Sequence, residues 1–416
     1  MFLMVAENVD IKNNSLESGT LQVEVFRSLA GRYRLTEMEV ESLFIAAQKM
    51  TEDEWKVVIE ESIYKETAGL LCHHLREAGV EPPKILKAEY KWIALSNTMI
   101  EVELIRLAPE LLEAGARVLL IKGTALHQWV YKNPGIRNFE DSDWVFPDRT
   151  TADAAARVLG SLGYKSSGNQ DNLLWRNGPF KIEFHMNILG DERVAARVSG
   201  LEAKNGVIDD EVWSRCRPAI LGAPYLMPAP EDHLLILCAH LMKHNLEPGI
   251  WFADIEALLT ETEDFDWDVV LERAQRWRLI RPLAFAFRNL GALGVEGQIG
   301  GREGILPPQV RFKLAEVHPT RMEAYLLALA ATGGRISGEK KEWTRAPLAN
   351  LLWLSSQQTL REKIKLLWEA AFPRHEVMSD IYPNYRAMLR WWFMVRRAVD
   401  LGRLGARVLA LSRSGR

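Results

Sequence analysis

The stretch Val118-Leu119-Leu120-Ile121-Lys122-Gly123-Thr124, followed after Asn133-Pro134-Gly135 by Phe139-Glu140-Asp141-Ser142-Asp143-Trp144-Val145-Phe146, decides how this chain is read. Four consecutive apolar residues that stop at Lys122-Gly123 have the form of a buried strand meeting a turn, and a helix from Thr124 to Tyr131 is expected after it. The run from Phe139 to Phe146 has the form of a second strand, stopped by Pro147. Thr150 or Thr151 is the expected cap of a helix that reaches Gly160 or Gly163, with Asp153 in its first turn. Beyond it, Asn177-Gly178 is a turn signal between Leu173-Leu174-Trp175 and Phe180-Lys181-Ile182-Glu183-Phe184-His185-Met186, which predicts a β-hairpin.

On either side of this stretch the texture is helical. From about Leu21 to Glu113 apolar residues recur three and four apart, as in Trp55, Val58, Ile59, Ile63 and Leu104, Leu107, Leu111, Leu112, with Pro82-Pro83 forcing a break. Four or five helices are expected there. From Glu231 helical periodicity returns and continues to the C-terminus, interrupted near Pro248-Gly249, Gly300–Gly304 and Gly333–Gly338. The fold class is therefore α+β: a helical region over 1–115, a small mixed-sheet α/β core over 116–228 and a second helical region over 229–416. The composition agrees, since 416 residues with 48% hydrophobic and 26% charged side chains suit a packed multi-domain globular protein.

A formal net charge of −3, with acids and bases interspersed, supplies no chain-wide field toward nucleic acid or a membrane surface. The three cysteines, Cys72, Cys216 and Cys238, have no paired spacing, so neither a disulfide framework nor a thiolate metal site is indicated. Met1 to Lys12 lacks the basic flank and apolar run of a signal peptide, and no window reaches the ~18 apolar residues of a spanning helix. The expectation is a cytoplasmic protein with no membrane partner.

The acids carry the chemical signal. In a strand, residues two apart share a face, so Asp141 and Asp143 project together, while on the second hairpin strand Phe180, Ile182, Phe184 and Met186 leave Lys181, Glu183 and His185 on the opposite, polar face. Three carboxylates from two strands suit one or two Mg²⁺ ions, which prefer oxygen ligands and keep substrate phosphates in their shell. Lys122-Gly123-Thr124 complements them: the glycine lets the backbone approach a phosphate, the following helix N-terminus offers free amides, and Thr124 and Lys122 add a hydroxyl and a charge. Lys122 reads equally as a solvated strand-end lysine. Arg137 offers a bidentate phosphate clamp or an ion pair with Glu140 or Asp141. His185 can hydrogen-bond a metal-bound carboxylate or serve a structural role.

These residues carry a resemblance. Leu120-Ile121-Lys122-Gly123-Thr124-Ala125-Leu126, then Tyr131, Pro134-Gly135-Ile136-Arg137 and Asp141-Ser142-Asp143, resemble the signature of the uncharacterised nucleotidyltransferase family within the DNA polymerase beta-like superfamily. Ile182-Glu183-Phe184-His185 resembles that family's third-acid strand. His240-Leu241-Met242-Lys243-His244 with Trp251 to Leu258 resembles its following helical segment, and Phe372-Pro373 with the Arg-rich helix resembles its tail, so the likeness runs from about Ala30 to Arg407. It implies metal binding and catalysis by Asp141, Asp143 and Glu183, a phosphate grip by Gly123 and Thr124, Mg²⁺ or Mn²⁺ as cofactor and an NTP as co-substrate. The acceptor stays open among a small molecule, a peptide, a protein and RNA. The alternative is a non-catalytic nucleotide- or partner-binding module on the same fold.

Two further clusters stand outside this reading. His233, His240 and His244 share a helix face without the Glu of a metalloprotease helix, and Asp254 on the next helix is placed to hydrogen-bond one of them. From Tyr385 onward eight arginines stand against one acid, with Trp391, Trp392 and Phe393 among them. The expected arrangement is aromatics docked on the core and arginines on a solvated face.

Overall fold

The computed structural model describes residues 21–29, 31–169, 172–189, 207–244, 249–293, 304–331, 352–357, 359–372 and 384–399, with residues 246, 299, 378, 382 and 402 singly. Among the described residues five helices come first: α1 (Leu21–Leu29), α2 (Glu37–Lys49), α3 (Glu52–Tyr64), α4 (Ala68–Glu77) and the long α5 (Lys84–Glu113). Thr36 and Thr51 open α2 and α3 with reciprocal capping boxes to Glu39 and Glu54. Pro83 stands as the cap residue of α5, so the Pro82-Pro83 break falls where the ring geometry requires it. Within the predicted periodic runs Val58, Ile59, Leu104, Leu107 and Leu111 are buried, but Ile63 and Leu112 face outward at 43% and 57% exposure.

Among the described residues a single seven-stranded mixed sheet follows, in the order β3-β4-β5-β2-β1-β7-β6. Its strands are β1 (Val118–Ile121), β2 (Ser142–Val145), β3 (Lys165–Asn169), β4 (Asn172–Asn177), β5 (Phe180–His185), β6 (Arg217–Pro218) and β7 (Tyr225–Met227). The β4–β5 hairpin is present, but its two central residues are Gly178 and Pro179, with Asn177 paired to Phe180 as the last strand position. Gly178 has φ +58°, and a proline cannot take positive φ, so glycine at the first central position is the arrangement this tight turn needs.

Local chemistry shifts several other boundaries. Strand β2 begins only at Ser142, which leaves Asp141 in the bend before it. Helix α6 spans Lys122–Trp129, and α7 (Arg149–Ser161) is capped by Asp148, whose carboxylate accepts from Thr151 N at 2.8 Å, in place of either threonine.

Alternation sorts the sheet's two faces. Val118, Leu120, Trp144, Ile182, Phe184 and Tyr225 pack with α5 and α7 in one core. Leu119, Ile121 and Val145 face a second and larger core, shared with α6, α8 (Val207–Arg215), α9 (Pro230–Lys243), α10 (Ile250–Glu261), α11 (Trp267–Arg276) and α12 (Ile280–Asn289). That core continues into α13 (Pro308–Ala315), α14 (Arg321–Ala331) and Leu366 of α15 (Leu360–Ala371). The expected interruption at Gly333–Gly338 lies outside the described residues. In the last described helix, residues 390–399, Phe393 and Arg397 are buried while Trp391 and Trp392 are 81% and 56% exposed. The expected division into docked aromatics and solvated arginines therefore holds for Phe393, Arg386 and Arg396 and fails for Trp391, Trp392 and Arg397. Among the described residues no helix is long and apolar enough to cross a membrane, and Cys72, Cys216 and Cys238 are free.

Candidate active site

The register of the sheet assembles the site. In β2 and β1, Asp143 stands opposite Ile121, the last residue before Lys122, and on the other side of β2 it pairs with Glu183 of β5. Two residues further along, Val145 pairs with His185. Asp143, Glu183 and His185 therefore share the face that carries Ile121 and Val145, as alternation demands.

Their polar atoms converge. Lys122 Nζ donates to Asp143 Oδ1 at 2.6 Å, and His185 Nε2 lies 2.7 Å from the same oxygen and 3.8 Å from Glu183 Oε2. One ligand atom each from Asp143, Glu183 and His185 falls within 4.8 Å of the others, a set of two oxygens and one nitrogen able to hold a metal ion. Asp143 and His185 are buried, whereas the Glu183 side chain is 35% exposed and forms the open side of the cluster.

Charge explains the different states of the two aspartates. Burial pushes the Asp141 carboxyl up to about 7, and the neighbouring Asp143 and Glu183 carboxylates add to the rise against the Lys122 ammonium. Burial acts on Asp143 too, but the Lys122 ammonium and His185 outweigh it and hold its carboxyl well below the usual range. Desolvation disfavours the Lys122 ammonium, and the adjacent Asp143 reverses that, so its pKa lies above the ordinary lysine value. Lys122 takes φ +53°, a left-handed conformation a lysine seldom adopts, at the junction of β1 and α6. Backbone strain of this kind persists where surrounding structure over-determines it, often at working sites.

The glycine turn is in place beside the acids. Gly123 is buried, and a Cβ there would lie 3.0 Å from Phe139 Cβ and 3.4 Å from Arg137 Nη2. Thr124 Oγ1 reaches the Asp141 carbonyl at 3.4 Å. Arg137 occupies a different position from either expectation: its Nε and Nη2 donate to Oδ1 and Oδ2 of Asp254 at 3.1 and 3.0 Å, and Nη1 reaches Glu66 at 3.3 Å and the Asn138 carbonyl. Its fork is thus committed inside the protein, 7% exposed at the side chain, and pairs with neither Glu140 nor Asp141. Glu140 instead pairs with Lys181 at 3.2 Å.

Asp254 likewise accepts from Arg137 and from the Tyr131 hydroxyl at 2.9 Å, in place of the expected histidine. His240 and His244 lie against each other and against Trp251, with His244 and Trp251 stacked at 4.1 Å. Burial lowers His240 well below the ordinary histidine value, with His244 and Lys122 adding to it. His233 is fully buried, and burial pushes it down to about 3.

Two residues that sequence reasoning passed over hold the approach to Asp141. Asn97 of α5, fully buried, donates to the carbonyls of Pro134 and Arg137 at 2.7 and 2.6 Å, and Tyr90 donates to Asn133 Oδ1 at 2.8 Å. A Cβ on Gly135 would meet the Tyr90 ring at 2.5 Å, so only glycine lets this loop seat on α5. The signal that points to Asn97 is a polar residue on the apolar side of α5. For the pairing of Asp254 with Arg137 it is an acid set in an otherwise apolar run, Ile250-Trp251-Phe252-Ala253-Asp254-Ile255.

No curated protein and no solved structure matches this chain. A family model described as an uncharacterised nucleotidyltransferase matches residues 51–293, a span that runs from α3 through the whole sheet to α12. With more than half its length matched, the chain belongs to the uncharacterised nucleotidyltransferase family.

Proposed function

We propose that this chain transfers a nucleoside monophosphate, or another nucleotide-activated group, from an NTP-type donor to an acceptor with the help of Mg²⁺ or Mn²⁺. The observation that supports this reading is the convergence of Asp143, Glu183 and His185, one ligand atom each within 4.8 Å of the others, beside an Asp141 carboxyl that burial and the neighbouring carboxylates push up to about 7. Carboxylates gathered so closely repel unless a cation joins them, and Asp143, Glu183 and His185 offer a compatible donor set. Asp143 and Glu183, with Asp141 beside them, would hold the cation, and the His185 ring would either ligate it or orient Asp143. When bound, such an ion offsets the charge developing on phosphate oxygens and favours ionisation of the attacking group.

The remaining roles belong to the chain's own groups. Lys122 supplies positive charge at the strand end, and the amides opening α6 at Gly123 and Thr124 suit an anionic phosphate. Arg137, bound to Asp254 and against Gly123, fixes the turn and does not grip substrate itself. Glu183, more exposed than Asp143, is the carboxylate an acceptor reaches and is suited to take its proton. Calorimetry with each NTP tests the reading: binding should depend on Mg²⁺ or Mn²⁺ and weaken in Glu183→Gln. Equal affinity with and without divalent cation would remove its support.

A further inference from the structure

Helix α5 has 30 residues, about 45 Å of length, and one side of it packs within the chain. Leu86, Ile93, Asn97, Leu104, Leu107 and Leu111 on that side are buried. The other side is apolar and open. Ile85, Ala88, Trp92, Leu95, Met99, Val102, Ile105, Pro109 and Leu112 are all exposed and follow one another at spacings of three and four. That is the period of a helix seam which meets a second helix lengthwise. Its large members, from Ile85 to Leu112, are between 39% and 60% exposed.

The ends of this face are charged, and with opposite sign. Lys84, Lys87 and Lys91 flank its start, and Glu110 and Glu113 flank its end. Lys87 is half-buried beside Glu81, and the other four are exposed. This order opposes the helix's own dipole: the first turn has no acid and the last turn no base, whereas acids stabilise a helix start and bases a helix end. Arg106, the one base in the second half of the face, is held by Glu103 through two hydrogen bonds of 2.8 and 2.7 Å.

We infer that α5 packs antiparallel against α5 of a second copy of this chain, across a twofold axis between Thr98 and Met99. Turning the face about that point sets Ile85 against Leu112, Ala88 against Pro109, Trp92 against Ile105 and Leu95 against Val102, each pair occurring twice. The same turn sets Lys84 against Glu113 and Lys87 against Glu110. Apolar residues thus meet apolar residues along the seam on either side of its centre, where Met99 meets Thr98, and Lys84 and Lys87 meet glutamates at both ends, while Lys91 meets Arg106, whose charge Glu103 already pairs. Each helix start receives the other's glutamates and each helix end the other's lysines, which corrects the unfavourable dipole pairing. A lipid surface or an unrelated helix would cover the apolar seam but has no reason to require this mirrored charge order. The inference is independent of the chemistry proposed for the acids.

Sedimentation equilibrium of the full chain at low salt tests it. A lone helix pair is a small interface, so a dimer with a dissociation constant on the order of micromolar is expected. Leu95→Glu should leave a folded monomer, with circular dichroism and melting temperature as controls, since the side chain is exposed. Lys84→Glu/Lys87→Glu and, separately, Glu110→Lys/Glu113→Lys should each weaken self-association roughly tenfold or more, while mixing the two variants should restore the dimer. Met99→Cys should cross-link to itself under oxidation and Ile85→Cys should not. A wild type that stays monomeric to about 100 µM would overturn the inference and leave the face to a different partner. A mixture that fails to recover the dimer, or self-cross-linking of Ile85→Cys, would each overturn the antiparallel pairing.

Discussion

Replacing Asp254 by alanine removes the group on which the loop before the acids depends. The Arg137 guanidinium, 7% exposed, and the Asp254 carboxylate, 1% exposed, meet through two hydrogen bonds of 3.1 and 3.0 Å. Breaking such a buried pair from one side costs about 3–5 kcal/mol, because the other charge stays desolvated without its partner. Here Glu66, at 3.3 Å and 38% exposed, and the Asn138 carbonyl retain part of the guanidinium's solvation, which places the loss near the lower end, about 3 kcal/mol. The Tyr131 hydroxyl loses its acceptor as well, adding about 1 kcal/mol. Asp254→Ala should therefore cost about 4 kcal/mol in urea unfolding.

The double variant Arg137→Met/Asp254→Leu separates charge from packing. With both ions replaced by apolar side chains no buried charge is stranded, so the double variant should be more stable than Asp254→Ala alone. Because Arg137 Nη2 packs against the Gly123 turn, 3.4 Å from where a Cβ on that glycine would be, both variants should also weaken divalent-dependent nucleotide binding. A loss under about 1 kcal/mol in Asp254→Ala, or a double variant that costs the sum of its singles, would refute this account of the pair.

Three further outcomes are expected. The Asp141 carboxyl, raised to about 7, keeps its proton up to neutral pH, so divalent affinity should climb as pH rises from 5 toward 7, by up to about tenfold per unit, and level above. Asp143, depressed, is ionised throughout and adds nothing to that slope; an isothermal titration of Asp141→Asn that kept the slope would contradict the assignment. Neither ring nitrogen of His233 has a hydrogen-bond partner among the described residues, so His233→Leu should gain about 1–2 kcal/mol at neutral pH. Since burial holds His233 down to about 3, the unfolded chain alone takes up its proton below about 6.5, and the leucine variant should lose less stability as pH falls from there; an equally steep acid loss in both proteins would count against this. Gly123→Val places a Cβ 3.0 Å from Phe139 Cβ, so it should lower the melting temperature as well as nucleotide affinity, and a variant unchanged in both would show that the turn has more room than the structure gives it.

Much of this was legible in the residues themselves. Period-two alternation put Glu183 and His185 on one face of β5, and the structure registers that face beside Asp143. The apolar run ending at Lys122-Gly123 gave β1 and the start of α6 to within two residues. What local pattern cannot carry is the choice of long-range partner. Arg137 and Asp254 are 117 residues apart, and nothing near Arg137 in the chain distinguishes that acid from Glu140 or Asp141. Strands β6 and β7 were not anticipated because two or three residues contain too little alternation to register. At α7 a short-range competition decided the boundary: Asp148 accepts the Thr151 amide, which neither Thr150 nor Thr151 then has to do. The outward tryptophans at 391 and 392 show the limit of treating every aromatic as core.

Whether the carboxylates act in transfer or only in binding is decided by Asp143→Asn. The substitution keeps the side chain's shape and removes the charge that meets Lys122 and His185. The measurement is transfer of label from α-labelled NTPs into a cell extract, with pyrophosphate release followed in parallel, for wild type and variant in Mg²⁺ or Mn²⁺. The wild type should show divalent-dependent transfer and the variant a fall of orders of magnitude, with a much smaller change in nucleotide affinity. Transfer undiminished in Asp143→Asn, or a wild type that binds NTP yet releases no pyrophosphate with any donor, would contradict their role in transfer.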